Sequence, residues 1–388
     1  MPSSPQRVER ELILLPELGT AISVTKGWNS PEARVIFGRA RELCREVGDT
    51  PQLFPALFGL AANHLINGEY AVALEIAEEL MRFAQRSADP IGVLQAYHLI
   101  NQLQLFTGEP AVERQSQDEL IARYDSKLHH SSAHLYSGDD PMVCTLSQGA
   151  MTLWLLGYPT QGLRAVQQAA RLAQDLAHPI GVALALYARA LLHCQRRESV
   201  SAADSVRAAI ALCDEQGFSP MAQACMLVKS AVAPDRATAD GIRMTRRAIA
   251  GCQTRATMSL YLGWLAEASL EGSNYREADA ALGEAFAIVE GNRERLWEAE
   301  LLRLRGELKS ACQGDAEADF RRAVEVARSQ RAKSLELRAT TSLARLLCDK
   351  NRGDEARTVL AEIYNWFTEG FDTADLKDAK SLLDELSN

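Results

Sequence analysis

The chain repeats one pattern of apolar and polar positions between regularly placed breaks. From Tyr70, the apolar residues Ala73, Leu74, Ala77 and Leu80 recur at helical spacing, and Glu75, Glu78, Glu79 and Arg82 take the opposite face. One series of breaks carries turn glycines: Gly68-Glu69-Tyr70, Gly108-Glu109-Pro110, Gly157-Tyr158-Pro159 and Gly272-Ser273-Asn274-Tyr275. A second series lies between them, at Asp49-Thr50-Pro51, Ala88-Asp89-Pro90, Asp140-Pro141, His178-Pro179 and Ser219-Pro220. Asp or Ser before Pro suits a helix start, because the short side chain caps free amides and Pro is tolerated in the first turn. Glycine permits the tight reversal between two helices. No run alternates β-branched residues with period two, so no sheet is expected.

Pro51 to Pro90 spans 39 residues, Pro141 to Pro179 spans 38 and Pro179 to Pro220 spans 41, whereas Pro90 to Pro141 spans 51. Each unit therefore reads as a helical hairpin of about 40 residues, near the tetratricopeptide class. In one unit Leu57, Leu60, Ala61 and His64 precede Gly68, and Tyr70, Ala73, Ala77 and Leu80 follow it, in the large–small–large order of such a repeat. The expected fold is all-α, a right-handed superhelical solenoid. Nine hairpins are expected, at 7–47, 51–86, 90–124, 141–177, 179–217, 219–253, 256–291, 296–330 and 333–368. An inserted loop is expected at 125–140 and a polar capping helix at 374–386. In the sixth hairpin Ala233-Pro234-Asp235 replaces the glycine turn. The first helix of each hairpin would line a concave groove.

Composition adds little to this picture. Of the 388 residues, 47% are hydrophobic and 24% charged, enough for a sizeable core. The net charge of −9 disfavours sequence-independent binding to phosphate backbones. The Arg243, Arg246 and Arg247 cluster and the Arg321–Arg322 pair read as solvated helix faces, with a phosphate contact as the alternative. No nucleic-acid partner is expected. No stretch reaches the ~18 apolar residues of a membrane span, and the N-terminal region lacks a signal-peptide pattern. None of the eight cysteines forms a CxxC pair, and most sit on apolar faces as small hydrophobes. No membrane association and a cytoplasmic location are expected.

There is no P-loop, no dinucleotide-binding glycine motif, no HExxH, no GxSxG and no protein-kinase signature. No cofactor is expected. His129, His130 and His134 with Asp139 and Asp140 form the nearest approach to a metal site, but a packed loop partly covering the groove suits a sparse ligand set better, and no metal is expected. The repeat register puts His98, Gln102, Trp154, His193, Glu300, Arg303, Glu307, Arg338 and Arg345 at concave positions. Such a groove, aromatic and amide-lined in the middle and charged toward the C-terminus, could read a peptide or a neighbouring domain. The alternative is that Trp154 and His193 are core and the charges merely solvated.

Four stretches carry a resemblance. The C-terminal one runs from Ala332 through Arg338 and Arg345 and ends in the string from Trp366 to Leu376, WFTEGFDTADL. The others are Gly48-Asp49-Thr50-Pro51-Gln52-Leu53-Phe54-Pro55, Leu153-Trp154-Leu155-Leu156-Gly157-Tyr158-Pro159 and Trp297-Glu298-Ala299-Glu300-Leu301. The chain resembles, over nearly its whole length, the array that closes large bacterial signalling proteins predicted to be ATPases, many described as adenylate or guanylate cyclases. In that family a cyclase, kinase or DNA-binding domain precedes an NTPase module, and a long tetratricopeptide-like region follows. The resemblance implies a non-enzymatic region that binds a protein partner, or senses for an NTPase/cyclase module in cis or in trans. No catalytic residue carries over, because no position here matches one. Within the string, Gly370 reads as a left-handed helix stop, Phe371 as packing back across it, and Asp372 or Thr373 as the cap of the last helix. The competing functional expectation is a small-molecule sensor in which the 125–140 loop, His98 and Trp154 enclose a ligand. An enzyme in its own right is the third.

Overall fold

The structure, a computed structural model, describes residues 5–48, 50–132, 136 and 140–387. Among these residues no strand forms, and helices pair consecutively into antiparallel hairpins. The hairpins are α1 (Pro5–Lys26) with α2 (Pro31–Val47), α3 (Leu53–Ile66) with α4 (Tyr70–Arg86), and α5 (Pro90–Phe106) with α6 (Pro110–Arg123). After the short α7 (Ser126–Ser132) come α8 (Pro141–Leu155) with α9 (Pro159–Asp175), α10 (Pro179–Gln195) with α11 (Ser199–Gln216), and α12 (Ser219–Ala231) with α13 (Ala239–Gly251). Then follow α14 (Met258–Glu271) with α15 (Tyr275–Asn292), α16 (Glu298–Ala311) with α17 (Glu317–Ser329), α18 (Lys333–Asp349) with α19 (Gly353–Tyr364), and the single α20 (Ala374–Glu385). The fold is an α-solenoid of tetratricopeptide-like hairpins with a capping helix.

Local chemistry sets the helix starts. Asp89 Oδ1 accepts from Ile91 N at 3.0 Å ahead of α5, and Asp140 Oδ1 accepts from Met142 N at 2.9 Å and Val143 N at 3.1 Å ahead of α8. Where a loop is expected over 125–140, α7 forms instead. The same device explains it, because Asp125 Oδ1 accepts from Lys127 N at 2.8 Å and Leu128 N at 3.3 Å. Gly68, Gly108 and Gly157 reverse the chain at φ of 75°, 88° and 91°. Gly272 does not: its left-handed neighbour Ser273 (φ 55°) makes the turn. A Cβ on Gly272 would lie 2.1 Å from the Ala237 carbonyl oxygen, so close backbone approach is what requires glycine there.

The larger departure from expectation is that successive superhelical turns touch. Asn29 Nδ2 donates to the Gln253 carbonyl at 2.7 Å, and Arg255 N donates to the Ile66 carbonyl at 2.8 Å. Tyr70 OH donates to Glu294 at 2.7 Å, and Leu296 N reaches the Phe106 carbonyl at 3.3 Å. Thr160 N and Gln161 N donate to Glu369 Oε1 at 2.9 and 3.0 Å. Arg197 pairs with Asp378 at 2.6 Å. The turn inside each of the first five hairpins thus meets the chain some five hairpins later, and one superhelical turn takes about five hairpins. Two acids serve this seam as helix caps: Glu369 caps α9 of the other turn, while Glu294 accepts from Ser259 N at 2.9 Å at the start of α14 in its own hairpin and reaches the other turn by accepting from Tyr70 OH. The WFTEGFDTADL segment is therefore a latch between turns. Trp366 lies 5.8 Å from Tyr158, Gly370 (φ 78°) presses on Pro159, and Asp372 pairs with Arg196 at 3.3 Å instead of capping α20. Thr373 flanks α20, but its hydroxyl donates to the Gly370 carbonyl at 2.7 Å.

Closure of the turns buries the inward helices from both sides. All of α8 except Gln148 is buried, which an open groove would not require. Some polar groups are buried with them. Glu113 is fully buried beside Gln117, and burial pushes its carboxyl up to about 8.

Two outcomes are expected. Glu369→Ala should cost about 1–2 kcal/mol by stranding two helix-capping amides, read as a lower urea midpoint; an unchanged midpoint would mean the seam is not held there. Folded Glu113 keeps its proton from about pH 4.5 up to about 8 while the unfolded chain loses it, so stability falls as pH rises through that window. Glu113→Gln should remove this fall, its melting temperature gaining on wild type between pH 5 and 9.

Candidate functional site

Closing the superhelix converts the expected open groove into interior space. At the N-terminal end that space is filled. Tyr136, from the insertion, packs edge-on to Phe58 at 5.4 Å, and its carbonyl accepts from Thr20 Oγ1 at 3.2 Å. His98 lies behind it, 2% exposed, with its ring 5.8 Å from Phe58. Gln102 Nε2 reaches His98 Nε2 at 2.9 Å, and burial pushes the His98 ring down to about 4, so it is neutral near pH 7. His98 is buried, and Gln102 is half-buried beside it.

His193 also has a local task. Its Nδ1 lies 2.5 Å from Glu198 Oε2 across the turn joining α10 to α11. His64 and Glu69 pair the same way across the turn joining α3 to α4. This is a turn staple repeated at two hairpins. Trp154 is core: 2% exposed, it packs 6.3 Å from Trp297 and lies under the Arg338 guanidinium at 5.0 Å. Its carbonyl accepts from Ser334.

The charged half of the predicted set is brought together. Glu300, Arg303, Arg338 and Arg345 line a cavity of about 430 Å³ walled by α14, α16, α18, the 194–199 turn and α20. Glu307 stands beside it, 3.3 Å from Arg303 and 2.6 Å from Ser342 Oγ. Arg303 reaches Glu300 at 2.7 Å and Glu267 at 3.9 Å; Arg338 reaches Asp375 at 2.8 Å and donates to the Gln195 carbonyl. Burial pushes the Glu300 carboxyl up, but Arg303 and Arg338 outweigh it and hold the group below the usual carboxylate range. Burial likewise opposes the Arg303 charge, and Glu300 and Glu267 more than offset it.

Sequence reasoning missed the other walls: Arg197, Arg236, Trp264, Glu267, Trp297 and Asp378. Part of the signal was present. Leu260, Gly263, Trp264, Glu267 and Glu271 form one face of α14, and Arg338, Thr341, Ser342 and Arg345 form the matching face of α18. Arg197 and Asp378 meet only through the seam, which leaves no periodic trace.

The remaining clusters serve structure. Asp140 is fully buried, capping α8 and accepting from Tyr124 OH at 2.8 Å, with His130 Nδ1 at 3.2 Å. His129 Nδ1 lies 2.9 Å from the Asp125 carbonyl, while His134 and Asp139 lie outside the described residues. Among the described residues no group of three or more His, Cys, Asp or Glu side chains is placed to hold a metal ion. Arg243 pairs with Asp240, Arg246 with Glu277 at 2.8 Å and Glu284 at 2.7 Å, Arg321 with Glu355 at 2.7 Å, and Arg322 with Glu325 at 3.0 Å. Among the described residues no helix is long and apolar enough to cross a membrane.

No protein-family model matches the chain. Over 348 residues it is 27% identical to an uncharacterized protein of Rhizobium meliloti strain 1021, an alignment covering 87% of this chain and 33% of that protein. The chain thus spans about a third of this relative's length. Two solved helical-repeat structures overlap it loosely. Yeast Tom70 has a TM-score of 0.32 at 11% identity, with 98% of this chain and 96% of that chain covered. Scc4, solved in complex with Scc2n, has a TM-score of 0.30 at 11% identity, with 98% and 90% covered. Overlaps this loose leave the fold to be read from the chain's own helix pairing.

Removing Arg303 takes the nearest cation from Glu300, leaving it Arg338 at 3.7 Å, and leaves Glu267 to Arg236 and Glu307 to Ser342. Arg303→Ala is expected to destabilise by about 2–3 kcal/mol in urea unfolding, whereas Arg345→Ala, which breaks no ion pair among the described residues, should stay within about 0.5 kcal/mol.

Proposed function

We propose that the chain is a non-catalytic protein-interaction scaffold, the regulatory arm of a larger signalling protein or a partner of one. The observation that carries this is the cavity itself: each carboxylate lining it is matched to an arginine, as in Arg303–Glu300 and Arg338–Asp375, an arrangement that holds shape and, among the described residues, sets no nucleophile beside a base there. The relative three times as long supports the arm reading. So does the resemblance of the C-terminal string to arrays that follow NTPase and cyclase modules. On this reading the module in cis or in trans is the partner, and the chain works in the cytoplasm. Glu300, Arg303, Glu307, Arg338 and Arg345 are the groove residues nearest that partner's contact. The sensor reading with a ligand under the 125–140 segment loses support, because Tyr136 already occupies the space against Phe58.

The test is a chromosomal tag after Asn388, blotted and then used for capture. A band far above 42.6 kDa establishes an arm in cis. A band near that mass with an NTPase or cyclase among the captured proteins establishes a partner in trans. A band near that mass with no specific protein captured, or turnover by the purified chain, overturns the proposal.

A further inference from the structure

The cavity between α14, α16, α18 and α20 is unevenly satisfied. Its carboxylates are all engaged. Glu267 faces Arg236 at 3.4 Å, Glu300 faces Arg303 at 2.7 Å, Asp375 faces Arg338 at 2.8 Å, Asp378 faces Arg197 at 2.6 Å, and Glu271 pairs with Arg236. What remains without a protein partner is on the donor side. Arg345, an exposed side chain, lines the cavity and makes no ion pair or hydrogen bond among the described residues. Trp297 is 2% exposed, and its indole Nε1–H, itself buried in the wall, has no acceptor among the described residues.

This asymmetry selects for charge. A cation entering the cavity would have to share a carboxylate with an arginine that already holds it. An anion breaks nothing and gains the guanidinium of Arg345, whose planar fork suits a carboxylate or a phosphate. The walls also offer a body site, since Leu260, Leu301, Leu304 and Trp264 supply apolar surface beside the charges. About 430 Å³ is within the range of small-molecule sites, roughly 300–1,000 Å³.

We propose that this cavity binds a small organic anion, an apolar body bearing one carboxylate or phosphate, with Arg345 as its anchor. The inference goes beyond the scaffold reading and stands without it. Because Asp375 and Asp378 of α20 form one wall, an occupant touches the helix that latches the two superhelical turns, and the chain would couple ligand to seam.

The test uses the full chain, with benzoate and phenyl phosphate as probes at millimolar concentration. Acetate, inorganic phosphate and sodium chloride at matched ionic strength are the controls. Trp264 and Trp297 make intrinsic fluorescence a direct readout, and a ligand bound only by the folded state raises the melting temperature. The expected result is a saturable fluorescence change and an upward melting shift with benzoate or phenyl phosphate, larger than with any control. The stronger of the two identifies the head group. Arg345→Gln should weaken the response about tenfold or more while melting like wild type without probe, and Arg357→Gln, on the outer helix α19, should bind as wild type. No saturable response to either probe, a response no larger than that of the bodiless controls, or full binding by Arg345→Gln would each overturn the proposal. Partner capture by the tagged chain is read separately, so the two readings fail independently.

Discussion

Contact between successive superhelical turns is the constraint on which the rest of the structure depends. In most solenoids each repeat touches only its neighbours, and stability is a sum along one dimension. Here hydrogen bonds join residues roughly two hundred positions apart, such as Asn29 with Gln253 and Thr160 with Glu369. Two of the seam's acids are helix caps. Glu369 satisfies free amides at the start of α9 in the other turn, whereas Glu294 caps α14 of its own hairpin and accepts from Tyr70 OH of the other turn. A helix start has unpaired amides whatever its surroundings, so a carboxylate there fixes the pitch with little demand on neighbouring sequence. Once the pitch is set, the first helices of the early hairpins are covered on both sides. Their sequences follow, with Trp154, Leu155 and Ala150 all buried.

The interior charges answer a different need. Helix faces that surround a cavity cannot carry unmatched charge without strong desolvation cost. Pairs such as Arg303–Glu300 and Arg338–Asp375, each side chain 12–14% exposed, resolve this by neutralising one another. Pairs this deeply placed add little net stability compared with apolar packing, but removing one member is expensive. Their effect is to hold the cavity open and to set α18 against α20. Arg338 does most here, since it stacks on Trp154, pairs with Asp375 and donates to the Gln195 carbonyl, joining three hairpins through one side chain.

Most of the local architecture was legible in the sequence, and most of the long-range architecture was not. Glycine and Asp-Pro breaks at regular spacing mark hairpins because turns and caps are made by neighbouring residues. The short helix α7 was missed although its signal was present, in Asp125 two residues before the amide it accepts from. His193 looked like a groove residue on register alone; the five-residue spacing of His64–Glu69 and His193–Glu198 was the clue to its staple role. The seam has no such clue. The Trp366–Leu376 string reads equally well as a chain-end cap, because a glycine stop and a polar helix start belong to both designs. Only its partners, Pro159, Thr160 and Arg196, distinguish them.

One helix carries both consequences of the seam. Through Asp378 and Asp375, α20 contacts the turn at Arg197, and the same two residues wall the cavity. Any molecule that binds across that wall and prefers the closed superhelix stabilises the contact between turns by its differential affinity, and any partner that draws α20 away weakens both seam and wall. The coupling needs no relay through the core, because latch and wall are one element. Under the arm reading proposed above, α20 is the element through which a bound ligand or partner would act on the seam.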